Sequence, residues 1–212
     1  MRLRAVVLDC DGVIFESFDI KTRAFRQLFG DRPAHVEAIV QYHLANGGKS
    51  RYEKLHYIYE HILRAPLTVE IEAELGKRFA ALVVDDVLRS PFVPGAEAFL
   101  AEGAARWPLF VASGTPEDEL RLIIERRGLQ QYFRGVYGSP RGKVEILQAL
   151  LAAHHWQAAE LLFVGDALND WQAAAETGVG FVGRVAAGTA NPFPDSGPLT
   201  VVPDLRVLGE WL

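Results

Sequence analysis

An α/β fold, a doubly wound parallel sheet with an all-helical segment inserted after its first strand, is what this sequence predicts. Short apolar, β-rich runs recur along the chain with helix-patterned segments between most of them, the alternation that builds parallel sheets. One long stretch, from about residue 16 to residue 89, breaks that rhythm with helical periodicity, many bulky residues and no strand. Half of the 212 residues are apolar, enough to bury a substantial core without staples.

In chain order, the first strand is expected at Ala5 to Leu8. Helices are then expected over Lys21 to Phe29, Pro33 to Leu44, Ser50 to Leu63 and Val69 to Arg89. The run Ser90-Pro91-Phe92-Val93-Pro94-Gly95 forces an extended, turning connection and closes that segment. The expected division is therefore a sheet domain of residues 1–15 and 91–212 and a helical domain of residues 16–90. Strands follow at Leu109 to Ala112, Gly135 to Tyr137, Leu161 to Val164, Gly180 to Val182 and Thr200 to Val202. Helices are expected between them at Pro116 to Arg127, Gly142 to His154 and Asn169 to Thr177, and a surface loop at Val185 to Pro198.

A formal net charge of −5, with both signs interspersed, offers no basic stripe, so nucleic acid is excluded as an expected partner. The single cysteine, Cys10, rules out an internal disulfide, and Met1-Arg2-Leu3-Arg4 leads straight into an apolar run, so a cytoplasmic location is the expectation. The apolar runs fall far short of the roughly 20 residues that span a bilayer. Oligomeric state stays open between a monomer and a small homo-oligomer.

Ligands of open α/β sheets bind beyond the carboxyl ends of the strands. The first strand delivers Asp9 and Asp11, which serve either as the start of a turn before Gly12 or as paired carboxylates in one small space. The second delivers Ser113-Gly114-Thr115, a hydroxyl and flexible backbone suited to an oxyanion or to helix capping. Lys143 opens a later helix, and Asp166 and Asp170 follow the strand Leu161 to Val164. Asp170 also suits a helix dipole. Carboxylates, a hydroxyl and an ammonium converging at strand ends would hold Mg²⁺ and phosphate oxygens and offset the repulsion between an anionic nucleophile and an anionic phosphate.

Asp9-Cys10-Asp11-Gly12-Val13, Ser113-Gly114-Thr115, Lys143 and Gly165-Asp166 with Asp170 resemble, in order and spacing, the four signature motifs of the haloacid dehalogenase (HAD) superfamily. The long helical segment resembles that family's helical cap. The resemblance implies a Rossmann-like core and a Mg²⁺-dependent reaction through an aspartyl-phosphate. It implies Asp9 as nucleophile and Asp11 as the acid that protonates the leaving oxygen and the base that activates water. Metal would be held by Asp9, the Asp11 backbone carbonyl and Asp166, with Asp170 in support. Ser113 and the backbone at Gly114 would bind the phosphoryl group, and Lys143 would neutralise it.

Asp11 argues against dehalogenation, because attack on carbon leaves no phosphate ester oxygen to protonate. It argues equally against the phosphonoacetaldehyde-hydrolysing branch, for which Lys49 would be the tempting cap lysine. The expected activity is hydrolysis of a small phosphate monoester, phosphoglycolate-like or a sugar phosphate. The rival is a phosphomutase resembling β-phosphoglucomutase, which shares a Gly-x-Ser-Arg element with Gly48-Lys49-Ser50-Arg51. Where that mutase carries a His, this chain has Lys21, a departure that counts against it. A non-catalytic binding protein of the same fold is the remaining alternative, and retention of Asp9, Asp11 and Lys143 argues against it.

Gly47 to Arg51 is the candidate substrate-recognition loop, with Lys49, Ser50 and Arg51 placed to read a second anionic group. Ser50 with Glu53 equally completes a capping box. The six histidines, His43 among them, form no metal-ligand cluster and are expected to pack or face solvent. Tyr52, Tyr57 and Tyr59 read as helix packing, and the four tryptophans as core or edge hydrophobes.

Overall fold

The computed structural model describes residues 3–212; Met1 and Arg2, the start of the lead into the first strand, lie outside the described residues. Six strands form one parallel sheet: β1 (Ala5–Leu8), β2 (Leu109–Pro116), β3 (Phe133–Ser139), β4 (Leu161–Gly165), β5 (Gly180–Arg184) and β6 (Thr200–Val202). Their order is β3-β2-β1-β4-β5-β6, so the direction of winding reverses beside β1, where β4 pairs with it. A crevice forms at such a reversal, outside the carboxyl ends of the strands.

Side-chain alternation with period two sends each strand into two cores. Val6 and Leu8 of β1, Leu109 and Val111 of β2, and Leu162 and Val164 of β4 face one apolar cluster. Ala5, Val7, Phe110, Ala112, Leu161 and Phe163 face the other. Both faces are covered, which is why these strands read as continuous apolar runs.

Between β1 and β2 the chain forms α1 (Phe18–Leu28), α2 (Val36–Ala45), α3 (Arg51–Tyr57), α4 (Val69–Arg89) and α5 (Ala96–Arg106). Phe25, Leu55, Phe79 and Val83, from α1, α3 and α4, join the first apolar cluster. The expected helix from Ser50 to Leu63 changes character at Ile58, where a π-helical turn runs to Leu63 and ends on a left-handed Arg64. Outgoing and returning strands of this segment cross as neighbours: Glu16 N–H donates to Pro91 O at 3.0 Å and Val93 N–H to Ile14 O at 3.0 Å.

The remaining helices are α6 (Glu117–Arg126), α7 (Lys143–His154), α8 (Leu168–Thr177) and α9 (Leu205–Trp211). The expected helix start at Pro116 is corrected, because β2 continues through Ser113-Gly114-Thr115-Pro116 before α6 begins at Glu117. A register irregularity against β3 separates the pairs Ala112–Tyr137 and Pro116–Ser139, so that four steps along β2 match two along β3. No helix among the described residues is long and apolar enough to cross a membrane.

Candidate active site

β1 ends at Leu8, so Asp9 emerges at the winding reversal and its side chain is buried. The Asp9 backbone stays in register with β4 through an N–H donated to Val164 O at 2.9 Å. On the neighbouring strand, Gly165 and Asp166 follow directly, and α8 brings Asp170 back beneath them. Asp9, Asp166 and Asp170 each offer an oxygen, and these atoms lie within 4.8 Å of one another. Gly12, at φ +73°, makes this packing possible, since a Cβ there would overlap the Asp166 carboxylate. Burial pushes the Asp9 and Asp166 carboxyls above the usual carboxylate range; Lys143 opposes this in both, Asp170 and Asp11 add to it in both, and Asp9 adds to it at Asp166.

Lys143, at the first position of α7, is buried between two of these carboxylates. Its ammonium lies 3.2 Å from Asp9 Oδ2 and is hydrogen-bonded to Asp170 Oδ1. Burial alone would lower the Lys143 amine, but Asp170, Asp9 and Asp166 override it and hold the amine above its ordinary value. Asp170 Oδ2 accepts from Ala167 N–H at 3.0 Å, so both Asp170 oxygens have protein partners. Asp9 Oδ1, by contrast, is buried with no hydrogen-bond partner among the described residues. An orphaned carboxylate oxygen beside two further acidic groups fits a hard divalent cation, since burying it unpaired is otherwise costly.

Asp11 turns its carboxylate away from that cluster. It accepts from Ser17 Oγ at 2.6 Å, from Thr115 Oγ1 at 3.3 Å, and from the Lys21 ammonium. Burial would raise its carboxyl, but the charge and hydrogen bond of Lys21, with that of Ser17, hold it below the usual range. Lys21 also donates to Thr115 Oγ1 at 2.7 Å. Cys10, between the two aspartates, packs into the apolar cluster on the far side, as strand alternation requires.

Ser113 is buried within β2, just past the apolar run that ends at Ala112, and its Oγ accepts from Thr115 N–H at 3.2 Å instead of capping α6. Gly114 meets the helical segment directly: a Cβ there would lie 2.7 Å from Gly48 O. The candidate recognition loop therefore rests on the strand that carries Ser113. Its members divide. Lys49 borders a small cavity, Ser50 closes the capping box with Glu53, and Arg51 is buried in a 2.6 Å pair with Glu119 of α6. The capping box expected of Ser50 and Glu53 is present, and the Arg51 guanidinium is paired with a carboxylate of the sheet domain.

Two residues outside the sequence reading of the site emerge from the fold. Lys54 is buried behind the loop, and His43, expected only to pack, has both ring nitrogens engaged, one by Thr22 and one by Lys54. Their spacing held a signal, since Lys54 follows Arg51 by three residues and shares its helix face.

A protein-family model described as haloacid dehalogenase-like hydrolase matches residues 3–178. The chain belongs to this family of hydrolases. It is similar to the phosphoglycolate phosphatase of Rhodospirillum rubrum, 28% identical over 219 residues that cover 99% of this chain and 90% of that one. Its fold matches that of CbbY from Rhodobacter sphaeroides, solved with phosphate, at a TM-score of 0.76 and 17% identity over 98% of this chain and 96% of that one. The magnesium-bound hydrolase YfnB of Bacillus subtilis matches at a TM-score of 0.73 and 18% identity over 100% and 99%.

Proposed function

We propose that the chain is a Mg²⁺-dependent phosphatase acting on a small phosphate monoester, phosphoglycolate-like or a sugar phosphate, through an aspartyl-phosphate on Asp9. The observation that carries this reading is the buried Asp9 carboxylate, with Oδ2 held by Lys143 and Oδ1 orphaned beside Asp166. The names of the similar relatives agree with it, the phosphoglycolate phosphatase of Rhodospirillum rubrum in particular. Residues 16–90 act in this reading as a cap over the site, joined to the sheet domain through the crossing at Glu16 and Pro91.

Asp9 attacks phosphorus, and the bond from phosphorus to the ester oxygen breaks as Asp11 gives that oxygen a proton. Asp11, now a carboxylate, removes a proton from water, whose oxygen displaces Asp9 and releases inorganic phosphate. Ser113 Oγ and the backbone at Gly114 hold the phosphoryl oxygens, and Lys143 neutralises them. Mg²⁺, held by Asp9, the Asp11 carbonyl and Asp166 with Asp170 in support, would supply charge neutralisation on the phosphoryl group. Lys21 holds Asp11 in its basic form, so donation of a proton requires the cap cation to withdraw.

Phosphate release from a panel of phosphoglycolate, sugar phosphates and nucleotides, with and without Mg²⁺, tests this reading. Activity is expected with Mg²⁺ and is expected to fall at least a hundredfold in Asp9→Asn. Hydrolysis that survives both chelation and that substitution would overturn it, and isomerisation of a sugar phosphate without free phosphate would make the chain a mutase.

A further inference from the structure

Between the helical segment and the strand carrying Ser113 lies a cavity of about 20 Å³. Lys21, Lys49, Arg51 and Lys54 border it on one side, and Gly114 and Thr115 on the other. Four cations around so small a space call for an accounting of their counter-charges. Lys21 is held by Asp11 and Arg51 by Glu119, Arg51 also donating to Gly76 O at 3.4 Å and stacking 4.5 Å over the Phe79 ring, while Lys49 is only half-buried.

Lys54 is different. It is 4% exposed, and among the described residues no carboxylate lies within ion-pair distance of its ammonium. Its one hydrogen-bond partner among the described residues is His43 Nδ1 at 3.0 Å, while the Phe25 ring lies 5.8 Å away. For Nδ1 to accept from Lys54, the ring hydrogen sits on Nε2 and points to Thr22 Oγ1 at 3.1 Å, and the Thr22 hydroxyl donates to Phe18 O at 3.3 Å. His43 is thereby fixed as a neutral acceptor, and its imidazole is pushed down to about 3, by burial first and then by Lys54. One of the three ammonium hydrogens is used, and two remain for the cavity.

We propose that Lys54 is a specificity-determining residue that seats a carboxylate carried by the leaving group of the substrate. This rests on the phosphatase reading, which fixes where the leaving group goes. With the phosphoryl group at Ser113 and Gly114 and its ester oxygen at Asp11, the leaving alcohol points toward Lys21 and Thr115, and both border this cavity. A buried ammonium without a counter-ion is costly, and a substrate anion removes the cost at the moment of binding. The space, close to the room of one water, demands a short tether between phosphate and carboxylate. The substrate class is therefore the phosphate ester of a short hydroxy acid, in preference to a sugar phosphate.

Lys54→Met, which replaces the buried charge with an apolar chain of similar length, separates the possibilities when phosphoglycolate and ethyl phosphate are compared. The Michaelis constant for phosphoglycolate is expected to rise about tenfold to a hundredfold, the effect of a charged hydrogen bond, and that for ethyl phosphate by less than about twofold. Equal change in both, or no change in either, would overturn the proposal. Calorimetric binding to Asp9→Asn, with Lys54 intact, gives a readout that needs neither turnover nor the folding of the methionine variant. There phosphoglycolate is expected to bind at least about tenfold more tightly than ethyl phosphate, and equal affinity overturns the seat. Preferential binding by a protein that hydrolyses no ester keeps the seat and removes the phosphatase reading, whereas hydrolysis of both esters with equal binding does the reverse.

Discussion

At the scale of single residues, charge partners decide the roles. Asp9 and Asp11 are two residues apart, yet Asp9 is buried in an acidic cluster and Asp11, only partly buried, faces a lysine, a serine and a threonine. Lys54 carries a pH dependence that follows from its surroundings. Burial first, then the charge of Lys21, pushes its amine from 10.5 to about 7, with Lys143 acting in the same direction and Asp11 and Glu53 opposing it. The folded pKa lies below the unfolded one, so the unfolded chain holds the extra proton between those two values. Stability should therefore rise with pH from about 7 to 10.5, and the cost of the buried charge is fully present below about 7. Urea titrations across this window are expected to show that slope in the parent and a flatter one in Lys54→Met; parallel profiles would sink the assignment. Carboxylate affinity at Lys54 should fall over the same rise in pH.

At the scale of elements, the connection between the helical segment and the sheet domain is pinned from α6. Arg127, just past that helix, donates to Val87 O and Leu88 O at 3.3 Å and to Ser90 O at 2.8 Å, satisfying carbonyls at the end of α4. Its guanidinium lies 4.3 Å from the Phe15 ring and 4.2 Å from the Phe92 ring, one on each crossing strand. Arg127→Met should cost about 1.5–3 kcal/mol, the range for hydrogen bonds to a charged group. That loss corresponds to a melting temperature lower by several degrees at this chain length. Lysine should rescue it poorly, because an ammonium cannot bridge these carbonyls and stack on two rings together. Equal melting of the parent and both variants would show that the pin carries no weight.

At the scale of the whole molecule, the winding reversal gathers acidic groups that destabilise one another, a repulsion that a bound cation would relieve. Mg²⁺ at about a hundredfold excess over its dissociation constant should add about 2.7 kcal/mol. For a chain of this size that is a rise in melting temperature of roughly 5–11 °C. Asp166→Asn should abolish the rise while melting no lower than the parent in chelator, since the substitution removes repulsion from Asp9 and Asp170. A full Mg²⁺-dependent rise in the Asn variant would place the cation elsewhere.

Much of this architecture was legible in the residue order because strands buried on both faces, such as Ala5–Leu8 and Leu161–Gly165, must be apolar throughout and must end where polar chemistry begins. Asp9, Asp11, Ser113 and Asp166 stood out in the sequence by following those apolar runs, and Lys143 and Asp170 by lying in the first turns of the helices that come next. The break at Ile58 and the extension of β2 through Pro116 were not legible, because a π turn and a register irregularity answer to neighbouring elements instead of local pattern. By itself, then, the sequence determined the α/β class, the helical insertion and the acidic motif, all of which follow from local periodicity and position along a strand. Only the tertiary structure decided that Arg51 pairs with Glu119 and that Lys54 lies buried without a carboxylate beside the cavity. Those outcomes depend on which side chains meet across 11 to 68 residues of chain, and a side chain's partners, unlike its propensity, exist only after folding.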